Sequence, residues 1–284
     1  MSTTSGAENM EEGSYASFMA SKPFEFVVGP EKKVFAIHSA LVASQSAVLE
    51  RLVNGDMKEA KEGSAVLEHV DEQTFIRFSQ YAYMGIYRYP SYRPGPPHNA
   101  DSDNNINNNQ DGWMKETEAH CHKCRYCGKR CYGNEPRHGQ MTKGKKLWND
   151  FEKQLSSSEP YMVMKTASRL NDGEENDAEL LLCHAKLYVF ADSYGIEPLM
   201  KLSLSTLHYV LVKVSQSNDM ASMAVKLLLY CYENDTPEAL REIVVEYAAC
   251  RVEHLWGLPQ FQELLQTFGE FSMNLVKALL GRID

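Results

Sequence analysis

The sequence predicts an α+β fold in which a few strands near the N-terminus are followed by many helices. Three observations carry this. Two apolar, aromatic and β-branched runs, FEFVVG (24 to 29) and KKVFAIH (32 to 38), flank the tripeptide GPE and predict a hairpin. From Ser39 onward the apolar residues switch to helical spacing, with Leu41, Val48, Leu49 and Leu52 on one stripe. Beyond Glu179 the chain is helical in pattern almost to its end.

The elements follow in order. Residues 1 to 19 are acidic and polar and are expected to form a disordered tail. After the hairpin, one helix is expected over about 39 to 53, stopped by Asn54-Gly55. SAVLEHV (64 to 70) has strand character, and Asp71 then caps a helix whose buried stripe is Phe75, Phe78 and Ala82 and which Gly85 ends. Next comes PSYRPGPPHNADSDNNINNNQDG (90 to 112), rich in Pro, Asn and Asp and nearly empty of apolar residues, which cannot offset the entropy of ordering. Residues 91 to 178 are expected to be an insertion that contains this loop, a Cys cluster and a short amphipathic helix through Leu147, Phe151 and Leu155.

ELLLCHAKLYVFADSYG (179 to 195) is a helix closed by Gly195, and Pro198 stands near the first turn of the next. Ser217, Asn218 or Asp219 caps a helix carrying Met220, Met223, Ala224 and Leu227. Thr236 as N-cap and Pro237 at the first position start a further helix with Leu240, Ile243, Val244, Tyr247, Ala248 and Arg251 on one face. FQELLQTFGEFSMNLVKALL (261 to 280) makes one helix or a broken pair.

The chain has 284 residues, enough to bury a sizeable core in one or two domains, and its net charge of -9 argues against a general nucleic-acid binder. The charge is uneven. Residues 120 to 146 hold eight Lys or Arg against the single acid Glu135, a local charge of +7 that leaves -16 elsewhere. MSTTSGAENMEEG lacks the positive charge and apolar core of a signal peptide, and apolar stretches such as KLLLYCY are too short to span a bilayer. The expectation is an intracellular protein, cytoplasmic or nuclear, with no membrane partner.

In a reducing compartment, clustered thiols hold metal or stay free more readily than they pair. CHKCRYCGKRC places Cys121, Cys124, Cys127 and Cys131 within eleven positions, with His120, His122 and His138 in reserve, and the Cys124–Cys127–Gly128 turn is most like a zinc knuckle. A structural zinc is the expected cofactor, because no nearby residue suits an activated water. The spacing also equals a ferredoxin-type run, but Tyr132 replaces the Pro and no second run exists, so an iron–sulfur cluster is the lesser reading. The main alternative to zinc is thiols without metal. Cys183, Cys231 and Cys250 sit singly in apolar helical patterns and are expected to be packing residues.

No phosphate loop, nucleophile elbow or paired-carboxylate motif is present. His38 ends a strand with no Ser, Cys or carboxylate partner at recognisable spacing, and His184, His208 and His254 fall on separate helical patterns with no ligand pair at four-residue spacing. Structural histidines are expected, no catalytic residue is assigned, and the chain is read as non-enzymatic.

VFAIHSALVASQSAVLERLVNGDMKEAKEGSAVLEHVDEQTFIRFSQYAYMGIY (34 to 87) resembles the central segment of the BTB/POZ domain. HAKLYVFADSYGIEPLMKLSLSTL (184 to 207) is similar to the helical pair that completes it, and the likeness is to fungal members carrying a long insertion at this point. The resemblance covers about half the chain in two pieces. It implies a small β-sheet covered by helices, assembled from residues 20 to 90 and 179 to 212, split by the 91 to 178 insertion and followed by a C-terminal helical extension over 213 to 284.

It also implies binding rather than catalysis: self-association and, in many members, service as a substrate adaptor for a cullin-type ubiquitin ligase. Pro23 stands where the family often carries an Asp tied to its usual homodimer. Cullin-binding members tend to show a hydrophobic residue, any residue, then Glu after the first long helix; Met57-Lys58-Glu59 fits, so Met57 and Glu59 are the expected partner-binding residues. The alternative function, from a different class, is a nucleic-acid-associated regulator using the basic zinc-bearing insertion, although that segment lacks the interleaved aromatics that stack on bases.

Overall fold

The computed structural model describes residues 12–90, 143–156, 179–213 and 218–280. The protein is a mixed α+β molecule, mostly helical, with one three-stranded sheet. Strands β1 (Pro23–Val28) and β2 (Lys33–His38) pair antiparallel with Phe26 opposite Phe35, as the hairpin pattern predicts. The turn between them needs left-handed backbone, which Gly29 supplies at φ +71 and Lys32 at φ +53. β3 (Ser64–Leu67) adds to the other side of β1 in parallel, giving the order β2-β1-β3 with β1 central.

Alternation decides which face of the sheet is buried. Phe24, Phe26, Val28, Ile37, Ala65 and Leu67 point inward, and α5 (Glu72–Met84) lies over them with the Phe75 ring 5.0 Å from Phe26. The Asp71 carboxylate accepts from the Thr74 amide at 3.0 Å, and Gly85 ends the helix at φ +71, so both boundary signals act as expected.

Between the hairpin and β3 the single helix expected over 39 to 53 is two helices, α2 (Ser39–Ala43) and α3 (Ala47–Asn54). Ser46 causes the break. Its extended backbone caps α3, the hydroxyl accepting from the Leu49 amide at 3.1 Å while donating to the Tyr194 carbonyl at 2.6 Å. A tertiary hydrogen bond across 148 positions thus fixes a local break that periodicity alone smooths over. The short α4 (Lys58–Glu62) precedes β3.

The tail expected over 1 to 19 is helical from Glu12, where α1 (Glu12–Ala20) begins; residues 1–11 lie outside the described ones. A helix of nine residues is marginal alone, and docking supplies what propensity does not. Phe18 packs against the core, and Ser21 ties the helix end to α2 by donating to the Phe18 carbonyl and accepting from the Ala40 amide.

α6 (Lys143–Ser156), within the expected insertion, is part of the core: Phe151 and Leu155 are buried. α7 (Leu180–Ser193) and α8 (Glu197–Lys213) form the most extensive helix pair, hinged at Gly195 with φ +63. The Phe190 ring of α7 sits 4.9 Å from Phe78 of α5, joining segments far apart in sequence.

α9 (Asn218–Glu233) packs on α7 and on α10 (Glu238–Cys250), and α11 (Val252–Trp256), α12 (Pro259–Thr267) and α13 (Gly269–Leu280) complete the chain. The 261 to 280 stretch is therefore a broken pair, and α11 was not anticipated. The cap expected at Thr236 is shifted: Pro237 is the N-cap residue, and the buried Thr236 hydroxyl donates to the Cys231 carbonyl at 3.0 Å. It satisfies an orphan carbonyl at the end of α9 instead of an amide at the start of α10.

Candidate protein-interaction surface

Met57 lies in the turn between α3 and α4, and Glu59 in the first turn of α4. Gly55 permits that turn, since a Cβ there would lie 2.3 Å from the Arg51 carbonyl oxygen. Met57 is the N-cap residue of α4 and is 59% exposed; Glu59 follows in the first turn and is half-buried. One Glu59 carboxylate oxygen, Oε2, is shielded and has no hydrogen-bond partner among the described residues. An exposed thioether and an under-satisfied carboxylate thus sit two positions apart on one short element. This is where the sequence places the partner-binding pair.

Tyr83 and Met84, also exposed, end α5, and the Tyr83 hydroxyl pins His38 by lying 2.8 Å from Nδ1. The His38 amide donates to the same hydroxyl at 3.4 Å. His38, at the junction of β2 and α2, is thus tied to the end of α5.

A polar cluster joins α5 and the irregular segment that follows it to α7. The Tyr87 hydroxyl is 2.8 Å from His184 Nδ1, the Tyr89 ring packs edge-on to the imidazole at 4.7 Å, and buried Arg77 donates from Nε to the Arg88 carbonyl. Burial, reinforced by the Arg77 charge, pushes the His184 pKa down to about 3, so the ring is neutral at physiological pH. Burial raises Tyr87 well above its ordinary value and Tyr89 to about 12, so both phenols stay protonated. Motif and periodicity did not reveal this cluster, because its members are 97 positions apart.

The other singled-out residues are separate. His208 Nε2 is hydrogen-bonded to the Phe151 carbonyl at 2.8 Å, tying α8 to α6, and burial lowers its pKa. Cys183 and Cys231 are buried, and desolvation pushes the Cys231 thiol up to about 12, far from a thiolate at neutral pH. Cys121, Cys124, Cys127, Cys131 and His138 lie outside the described residues. Among the described residues no group of three or more His, Cys, Asp or Glu converges as a metal site, and no helix is long and apolar enough to cross a membrane. No protein-family model and no curated protein matches this chain.

Proposed function

We propose that the chain is a non-catalytic protein-interaction module of the BTB/POZ type that serves as a substrate adaptor for a cullin-type ubiquitin ligase. In support of the fold, the two stretches that resemble the family pack on each other through Phe78 and Phe190, Ser46 and Tyr194, and Tyr87 and His184. The observation that carries the partner is Met57, an exposed large apolar side chain at the start of a short helix, with the Glu59 carboxylate beside it. Met is enriched at protein interfaces, where it can fill a partner's pocket, and a charge at the rim fixes register.

A pull-down with a cullin N-terminal domain tests this. Met57→Asp and Glu59→Lys are expected to weaken capture at least about tenfold, in line with loss of a hot-spot contact. Binding indistinguishable from wild type removes the assignment. Melting curves of both variants separate a lost contact from a lost fold.

A structural zinc held by Cys121, Cys124, Cys127 and Cys131 belongs to the same proposal, since a segment poor in apolar residues gains order chiefly from a metal. Metal analysis of the purified chain is expected to find about one zinc per chain, with four thiolates as its complement. A metal-free or iron-bearing preparation overturns it.

A further inference from the structure

α13 is apolar on two opposite faces. Phe271 and Leu275 are buried and Ala278 and Leu279 pack against the core, as an amphipathic helix requires. The face turned away carries Met273 at 72% exposure, Val276 at 55% and Leu280 at 52%, preceded by exposed Gly269. The positions 269, 273, 276 and 280 alternate in steps of four, three and four, the heptad spacing of a coiled-coil seam. A contiguous exposed apolar patch on a helix is more often an interaction surface than a solvated one.

We infer that this seam is a self-association surface on which α13 of a second copy of the chain lies antiparallel. The charges single out that occupant. In an antiparallel pair, the a and d positions of one helix meet d and a of the other, which sets Met273 against Val276 and Leu280 against Gly269, each twice about the two-fold axis. The flanking e positions then face one another, and here they are Glu270 and Lys277, of opposite sign. The two-fold axis therefore makes both Glu270–Lys277 pairs at once, and Gly269 leaves room for the Leu280 side chain to close each end.

Glu270 also reaches Arg241 of α10 at 3.2 Å, which holds it at the edge of the seam. The helix has 12 residues, so the contact is small and the dimer is weak and concentration-dependent. This surface is separate from Met57 and Glu59, and the inference does not rest on the adaptor reading.

Sedimentation velocity on the full chain at low salt is the test. Wild type is expected to show a monomer–dimer equilibrium with a Kd on the order of 10–100 µM, as befits a small interface. Val276→Glu is expected to raise Kd at least about tenfold without changing the melting temperature of the monomer. Glu270→Lys and Lys277→Glu each place like charges together in their own homodimers and weaken them. An equimolar mixture of those two variants is expected to dimerise more tightly than either variant alone, because every flanking pair across the mixed dimer is again of opposite sign.

A wild type that stays monomeric overturns the inference; if Val276→Glu then also lowers its melting temperature, another part of the same chain covers the seam. A dimer indifferent to Val276→Glu places the interface elsewhere and overturns it as well. Mixed charge variants that fail to associate overturn the antiparallel arrangement.

Discussion

His184 has one ring nitrogen hydrogen-bonded to Tyr87 and the other, Nε2, without a hydrogen-bond partner among the described residues. A proton arriving on this ring creates a charge that burial strips of solvent and that Arg77 also repels, which is why its folded pKa is pushed down to about 3 from the ordinary 6.5. A base whose pKa falls on folding binds more protons in the unfolded chain throughout the interval between the two values. Stability is therefore full above about 6.5 and is lost as pH falls toward about 3, at up to roughly 1.4 kcal/mol per pH unit. Urea titrations between those limits are expected to show this slope in wild type and a flatter one in His184→Gln, which is less stable at neutral pH but does not titrate. Equal slopes would assign the acid sensitivity to other groups. The partner residues show what single positions reveal. Met57 and Glu59 are two positions apart on the chain, so a short motif marks them; the Tyr87–His184 pair is invisible until α5 and α7 meet.

At the scale of elements, strong local chemistry was legible. Asp71, Gly85 and Gly195 mark boundaries where they were expected, because a cap or a left-handed residue acts within its own turn. Boundaries set by distant partners were not. Ser46 breaks the expected 39 to 53 helix because its hydroxyl answers to Tyr194, and Thr236 leaves its expected cap because its hydroxyl answers to Cys231. α1 forms where composition predicts a tail, since Phe18 finds a core that a propensity sum does not contain. α6 was legible as an amphipathic helix through Leu147, Phe151 and Leu155, but nothing in its stripe reveals what that stripe faces. Its neighbours are the His208 ring, 4.3 Å from Phe151, and the Tyr247 ring at 6.2 Å.

Those contacts bear on how the molecule unfolds as a whole. The expected units were a split domain, an insertion and a C-terminal extension over 213 to 284, yet one hydrophobic cluster runs from Phe24 in β1 to Leu275 in α13. α9 packs on α7, α6 bridges α8 and α10, and the Arg251 guanidinium lies over the Trp148 ring at 5.5 Å. Removing the C-terminal helices uncovers part of α7, a helix buried on nearly every side. The chain is therefore expected to unfold in one cooperative transition. In a chain carrying Trp113→Phe, the remaining Trp148 and Trp256 report on α6 and the C-terminal helices, whereas far-UV circular dichroism reports on all helices at once. Urea curves from the two signals are expected to coincide in midpoint and slope, and a chain truncated after Lys213 is expected to lose the transition. If fluorescence melts ahead of ellipticity, or the truncated chain still unfolds cooperatively, the C-terminal helices are a separable extension, and α9 contributes little to holding α7 in place.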